Sequence, residues 1–99
     1  MTEATDFLLS DHLKTEEEVA SYLRSVMEDN DPELLRVSLL SLARSEGMTE
    51  IARRSGISRE GLYKSLGESG DPKFSTLCKI TEALGFRLTL VPITPNKAA

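Results

Sequence analysis

The chain has 99 residues, of which 39% are hydrophobic and 28% charged, with no Trp, three Phe and two Tyr. That is the size of one domain with a modest aliphatic core, too small for a two-lobed catalytic cleft and too apolar for a disordered or fibrous protein. The single cysteine, Cys78, has no internal disulfide partner. The N-terminus lacks a basic and then apolar leader, and no apolar run approaches the roughly 18 residues that span a bilayer, so a cytoplasmic protein without membrane function is expected.

A net charge of −4 argues on its face against nucleic acid, because phosphate repels an acidic chain. The distribution removes that objection. Residues 1–46 hold 4 Lys/Arg against 11 Asp/Glu, a net of −7, whereas residues 47–85 hold 6 against 5, a net of +1. The acid is confined to the first half.

Residues 1–13 show no clean period, although Phe7, Leu8, Leu9 and Leu13 are available to pack on the helices beyond them. Thr15 and Glu18 have the spacing of a capping box and open a helix whose stripe is Val19, Leu23, Val26 and Met27. Asp29-Asn30 ends it. Asp31-Pro32-Glu33 then starts a second helix, with Asp as N-cap and Pro at the first helical position, running to about Ser45 before Gly47. Its apolar residues Leu34, Leu35, Val37, Leu39, Leu40, Leu42 and Ala43 occupy most of the circumference, so burial on two sides is expected.

The stretch Met48 to Leu66 reads as two short helices meeting at a turn centred on Gly56, with Ser58 as cap of the second. Ile51, Ala52, Ile57 and Leu62 fall inward; Arg53, Arg54, Arg59, Glu60, Tyr63 and Lys64 fall outward. This is the pattern of a helix-turn-helix DNA reader. On that reading Arg59, Glu60 and Lys64 occupy base-edge positions, because Arg and Lys donate to guanine O6 and N7 and Glu accepts from cytosine N4. Thr49, Arg53, Arg54, Ser58 and Tyr63 suit phosphates, which fix register without specifying sequence. A purely structural helical hairpin shares the periodicity and the glycine turn. The outward basic residues favour DNA. Gly61, inside so short a helix, costs about 1 kcal/mol against Ala unless something approaches it closely.

Gly67 to Pro72 is turn chemistry. Phe74 is expected as an anchor and Ser75 as the cap of a last helix through Leu84, with Leu77, Ile80, Thr81 and Leu84 inward and Gly85 as the stop. Phe86, Leu88 and Leu90 alternate with Arg87, Thr89 and Val91, the period of a strand. A lone strand leaves its backbone groups unpaired, so antiparallel pairing with a second copy across a two-fold axis is expected. Pro92 and Pro95 end it. The organisation is thus mostly α within one domain: acidic helices over 1–46, the reader core over 47–85 and a strand with its tail over 86–99.

The residues GMTEIARRSGISREGLYKSL, followed by DPKFSTLCKITEALGFRL, resemble the Xre-type antidote proteins of HigA-like toxin–antitoxin modules, and LKTEEEVASYLRSVMEDNDPELL resembles the leading helix of that family. The likeness runs from about Leu13 to Pro92. It implies a lambda-repressor-like bundle of about five helices and a dimeric repressor of its own operon that binds and neutralises a small, basic RelE/ParE-like toxin. Arg59, Glu60 and Lys64 match its base-reading positions, and Thr49, Ser58 and Tyr63 its phosphate contacts. One departure is Ser65, with Leu66 beside it, where a large aliphatic residue is usual. The resemblance also turns the acidic half, by composition a solvated face, into a toxin-facing surface whose charge speeds and orients capture.

A stand-alone Xre-type repressor, or a protein-interaction module without a toxin, is the alternative. Catalysis is not expected: with His12 the only histidine, Cys78 the only cysteine and no glycine-rich phosphate loop, no nucleophile, base and orienting group assemble, and neither metal nor cofactor is implied.

Overall fold

The computed structural model describes residues 15–93. Within that span the local signals hold where they depend on neighbours in sequence. Helix α1, Glu16–Glu28, opens on the capping box: the Glu18 amide donates to Thr15 Oγ1 at 3.0 Å and the Thr15 amide to Glu18 Oε1 at 3.1 Å. Val19 and Val26 are buried and Tyr22 and Leu23 pack partly against the core. Met27 is 49% exposed and off the expected stripe; among the described elements α1 packs closely only against the helix that follows it. Asn30 takes φ 55 at the turn.

Helix α2, Pro32–Glu46, begins where Asp31 Oδ1 accepts from the Glu33 and Leu34 amides at 3.1 and 3.2 Å. It packs against α1 and against both α3, Met48–Ser55, and α4, Arg59–Leu66. Two-sided burial results: Leu39, Leu40, Leu42 and Ala43 are buried, and so are Arg36, Ser38 and Ser41. Gly47, at φ 107, is the whole connection from α2 to α3, its amide donating to the Ala43 carbonyl and its carbonyl accepting from the Ile51 amide. Helix α5, Phe74–Ala83, lies against α3. One apolar cluster, from Val19 through Leu39, Ile51, Leu62, Leu66 and Ile80 to Leu84, draws on all five helices.

Two expectations about α5 are corrected. The helix starts two residues early, with Lys73 at the N-cap position and no side-chain cap, so Ser75 lies inside the first turn. Phe74 is 73% exposed and anchors nothing among the described residues. The buried positions of α5 are Ile80, Thr81 and Ala83, followed by Leu84, all in its second half, so the first turn projects past the core. The other end behaves as expected. The Gly85 amide donates to the Glu82 carbonyl and the Phe86 amide to the Thr81 carbonyl at 2.8 Å, a Schellman closure with Gly85 at φ 95.

Residues 86–93 carry no strand in the single chain. The alternation is visible for four residues, with Phe86 and Leu88 half-buried and Arg87 and Thr89 exposed, and then lost, since Leu90 is 95% exposed. A strand requires a ladder partner, and none of the described segments supplies one. His12, the apolar residues Phe7, Leu8, Leu9 and Leu13, and the tail from Pro95 lie outside the described residues.

Candidate nucleic-acid interface

The turn between α3 and α4 is built from three small residues. Gly56 sits at φ 75, ψ 12, a left-handed conformation that costs a side chain energy, and its amide closes α3 on the Ala52 carbonyl at 2.9 Å. Ser55 Oγ accepts from the Ile57 amide at 3.2 Å, and Ser58 Oγ from the Gly61 amide at 2.9 Å. Gly61 now has a reason. A Cβ there would lie 2.9 Å from Ile57 Cγ2 and 3.1 Å from Ser58 Oγ, so the glycine lets the turn fold tightly under the start of α4.

Leu62 and Leu66, both fully buried, fasten α4 to the core one turn apart. Leu66 thereby fills the aliphatic role that Ser65, half-buried, does not. The opposite face carries Arg59, Glu60, Tyr63 and Lys64, all exposed. Arg59, Glu60 and Lys64 make no side-chain hydrogen bond or ion pair with any other described residue. Tyr63, 39% exposed, lies beneath Arg44, whose guanidinium carbon is 5.9 Å from the ring centroid, within cation–π range.

The expected phosphate cations of α3 are differently placed. Glu50 receives Arg53 Nε at 3.1 Å and Arg54 Nε at 2.9 Å, and Arg54 Nη1 donates to the Ala83 carbonyl at 3.1 Å. Arg54 is therefore a strut that ties α3 to the C-terminal end of α5, where a positive charge suits the helix dipole. Arg53 extends beyond it, 71% exposed in its side chain. The two guanidiniums hold the Glu50 carboxyl down from 4.5 to about 2, the hydrogen bond from Arg53 contributing most and that from Arg54 next, and Glu50 in turn raises Arg53. Thr49 and Ser58 are exposed beside these groups.

Two neighbouring features are not legible by motif. Lys64 and Lys73 both line an open notch of about 450 Å³, with Ser65, Gly70 and Thr76, at the turn that joins α4 to α5. The buried Arg36 of α2 reaches the far end of α4, where Nη1 donates to the Leu66 carbonyl at 2.7 Å and also to the Gly67 carbonyl, while Nη2 pairs with Glu33. The one sequence signal for Arg36 is a charged side chain within an otherwise apolar helical surface.

Among the described residues no three His, Cys, Asp or Glu side chains form a metal-holding group, Cys78 is half-buried, and no helix is long and apolar enough to cross a membrane. Fold and surface define a small helical protein that displays a short cationic helix against an acidic partner half. Its family is now identifiable: residues 3–92 match the family described as "Probable addiction module antidote protein", and the chain belongs to that family. It is also 43% identical over 82 residues to an uncharacterized protein of Haemophilus influenzae (strain ATCC 51907 / DSM 11121 / KW20 / Rd), a match covering 83% of this chain and 84% of that protein. No solved structure matches. Membership supports an antitoxin role and, with it, a toxin partner.

Proposed function

We propose that the protein is a DNA-binding antitoxin that represses its own toxin–antitoxin operon and neutralises a basic RelE/ParE-like toxin by direct binding. In this reading α3 and α4 are an Xre-type helix-turn-helix. Helix α4 enters the major groove with Arg59, Glu60 and Lys64 on base edges, and Thr49, Arg53, Ser58 and Tyr63 meet phosphates. Arg54 joins them only through the outer side of its guanidinium, since its Nη1 is committed to Ala83. Two copies, paired through the segment from Phe86, would set their α4 helices about 34 Å apart on a palindromic operator.

The observation that carries the reading is the contrast on one surface: Arg59, Glu60 and Lys64 are exposed and unengaged by any other described side chain, on a helix locked by Leu62 and Leu66, whereas the arginines of α3 are engaged with Glu50. Unengaged cations on a rigid element are what base recognition needs. The acidic residues of 1–46 are the toxin-facing part, consistent with family membership.

The test is binding of the full chain to the promoter duplex of its own gene, with random duplex as reference. Arg59→Ala is expected to cost about 1 to 3 kcal/mol on the promoter and little on random DNA. Equal loss on both removes Arg59 from the base contacts. Co-purification with the product of the adjacent gene, lost on deleting residues 1–30 while promoter binding survives, checks the toxin half.

A further inference from the structure

We propose that Arg36 is a positioning residue for DNA reading: from the buried face of α2 it holds the C-terminal end of α4 in place and so sets the pitch at which Arg59, Glu60 and Lys64 meet the groove. The inference rests on the DNA-reading assignment above. Its basis is the hydrogen bonding at the end of α4. An eight-residue helix is too short to persist alone, and its last carbonyls have no intrahelical donors. At α3 and α5 these ends are closed by glycines in the left-handed region, Gly56 and Gly85. Helix α4 has no such closure: Gly67 is extended, at φ −75 and ψ −174. The guanidinium of Arg36 takes that place, donating to the Leu66 and Gly67 carbonyls and bringing a positive charge to the negative end of the dipole.

Arg36 is held in its turn. It is 9% exposed, and its Nη2 pairs with Glu33, one turn earlier on α2, whose side chain is 69% exposed. Its Nε is buried without a partner, so the site tolerates an unsatisfied donor in order to keep the two carbonyl contacts. The chain of contact therefore runs from an accessible acid in the acidic half, through a buried cation, to the end of the reading helix. Glu33 and Arg36 belong to α2, not to the helix that carries Arg59 and Lys64. A loss confined to the promoter on altering them therefore reports the seating of α4, whereas a direct charge effect would act on promoter and random duplex alike.

The variants are Arg36→Met, which keeps length and removes the donors, Arg36→Lys, which keeps charge and a donor, and Glu33→Gln, at an exposed side chain whose replacement leaves the core intact. Each is measured, folded, for promoter and random-duplex binding and for amide exchange resolved by helix. For R36M the expected result is faster exchange in the last turn of α4 with α2 and α5 unchanged. Promoter affinity should fall about 10-fold or more as the binding-competent fraction drops, with random-duplex affinity changed less than about twofold because phosphate charge is untouched. R36K should recover part of the loss and E33Q show a smaller loss in the same direction. If R36M does not fold, R36K and E33Q decide the matter by the same readouts. Uniform loss of protection in all helices, with promoter and random binding falling in proportion, would make Arg36 a general stabiliser and overturn the proposal. So would an unchanged promoter preference in the variants. Wild-type protein with no preference for its promoter overturns the DNA-reading assignment first, and this inference with it.

Discussion

Gly61→Ala sets two known effects against each other at one position. Helix propensity favours Ala by about 1 kcal/mol. Against it stands the geometry of the turn: the new methyl would be 2.9 Å from Ile57 Cγ2 and 3.1 Å from the Ser58 hydroxyl that caps α4. Ile57 is β-branched and stiff at χ1, and Cγ2 is attached directly to Cβ, so it cannot swing aside as the end of a long chain would. Overpacking costs about 1 to 3 kcal/mol and loss of an N-cap about 0.5 to 2 kcal/mol. The balance is a net destabilisation of about 0.5 to 4 kcal/mol, and each kcal/mol lowers Tm by about 4 to 8 °C for a domain of this size. Urea denaturation followed by circular dichroism measures it. The steric clash has a second consequence: with Ile57→Ala removing Cγ2, adding Gly61→Ala should cost nothing or stabilise, a coupling that a double-mutant cycle resolves. Gly61→Ala as stable as the parent in the native background refutes the clash.

Ser38 and Ser41 are buried, and neither hydroxyl has a hydrogen-bond partner among the described residues. Replacing either with Ala should leave stability unchanged or raise it by up to about 1 kcal/mol, and a loss larger than that in the same denaturation assay counts against the site being unsatisfied. For Glu50, whose carboxyl is held at about 2 against 4.5, the depressed value means that its contribution is complete above 4.5 and disappears as the pH falls towards 2. A carboxylate NMR titration should place its midpoint well below the ordinary 4.5, and in Arg53→Ala it should move up. At the C-terminal end, Leu90, Val91 and Ile93 are 95%, 77% and 93% exposed, an apolar edge that the proposed strand pairing would cover. Leu90→Asp should weaken self-association in sedimentation, and an equally strong dimer would place the contact elsewhere.

The features legible in the sequence are those whose partners lie within a few residues. Thr15 with Glu18, Asp31 before Pro32, Ser58 before Arg59, and Gly56 at the turn all announce themselves because each cap is satisfied locally. The inward and outward sides of Met48 to Leu66 follow from helical spacing in the same way. Legibility stops where the partner is remote. Arg36 meets a carbonyl 30 residues on, and Arg54 one 29 residues on, so neither role can be read from spacing. Phe74 failed as an anchor for a related reason. Its hydrophobicity is local, but whether core lies beside it depends on how α5 packs, and the buried positions of α5 all lie in its second half. The segment from Phe86 has the alternation of a strand, but a ladder needs a partner and none of the described segments supplies one. Arg59, Glu60 and Lys64 are outward by helical spacing and exposed in the structure; contact with DNA is a separate matter for the binding assay.

The junction at Gly47 fixes how this molecule can change length. One residue separates α2 from α3, and its amide and carbonyl are both used by the helices it joins. An inserted residue there would turn α3 by about 100° and carry it about 1.5 Å along its axis, taking α4 with it and re-aiming the whole exposed face. The seven residues between Leu66 and Phe74 behave differently. Gly67 and Gly70 are pressed against the Tyr63 and Ser65 carbonyls and leave no room for a methyl, but Asp71, just after them, is exposed. Homologues that vary in length should therefore do so near Asp71 and keep the spacing across Gly47, and a tag or fluorophore loop placed at Asp71 should leave the orientation of the helices intact.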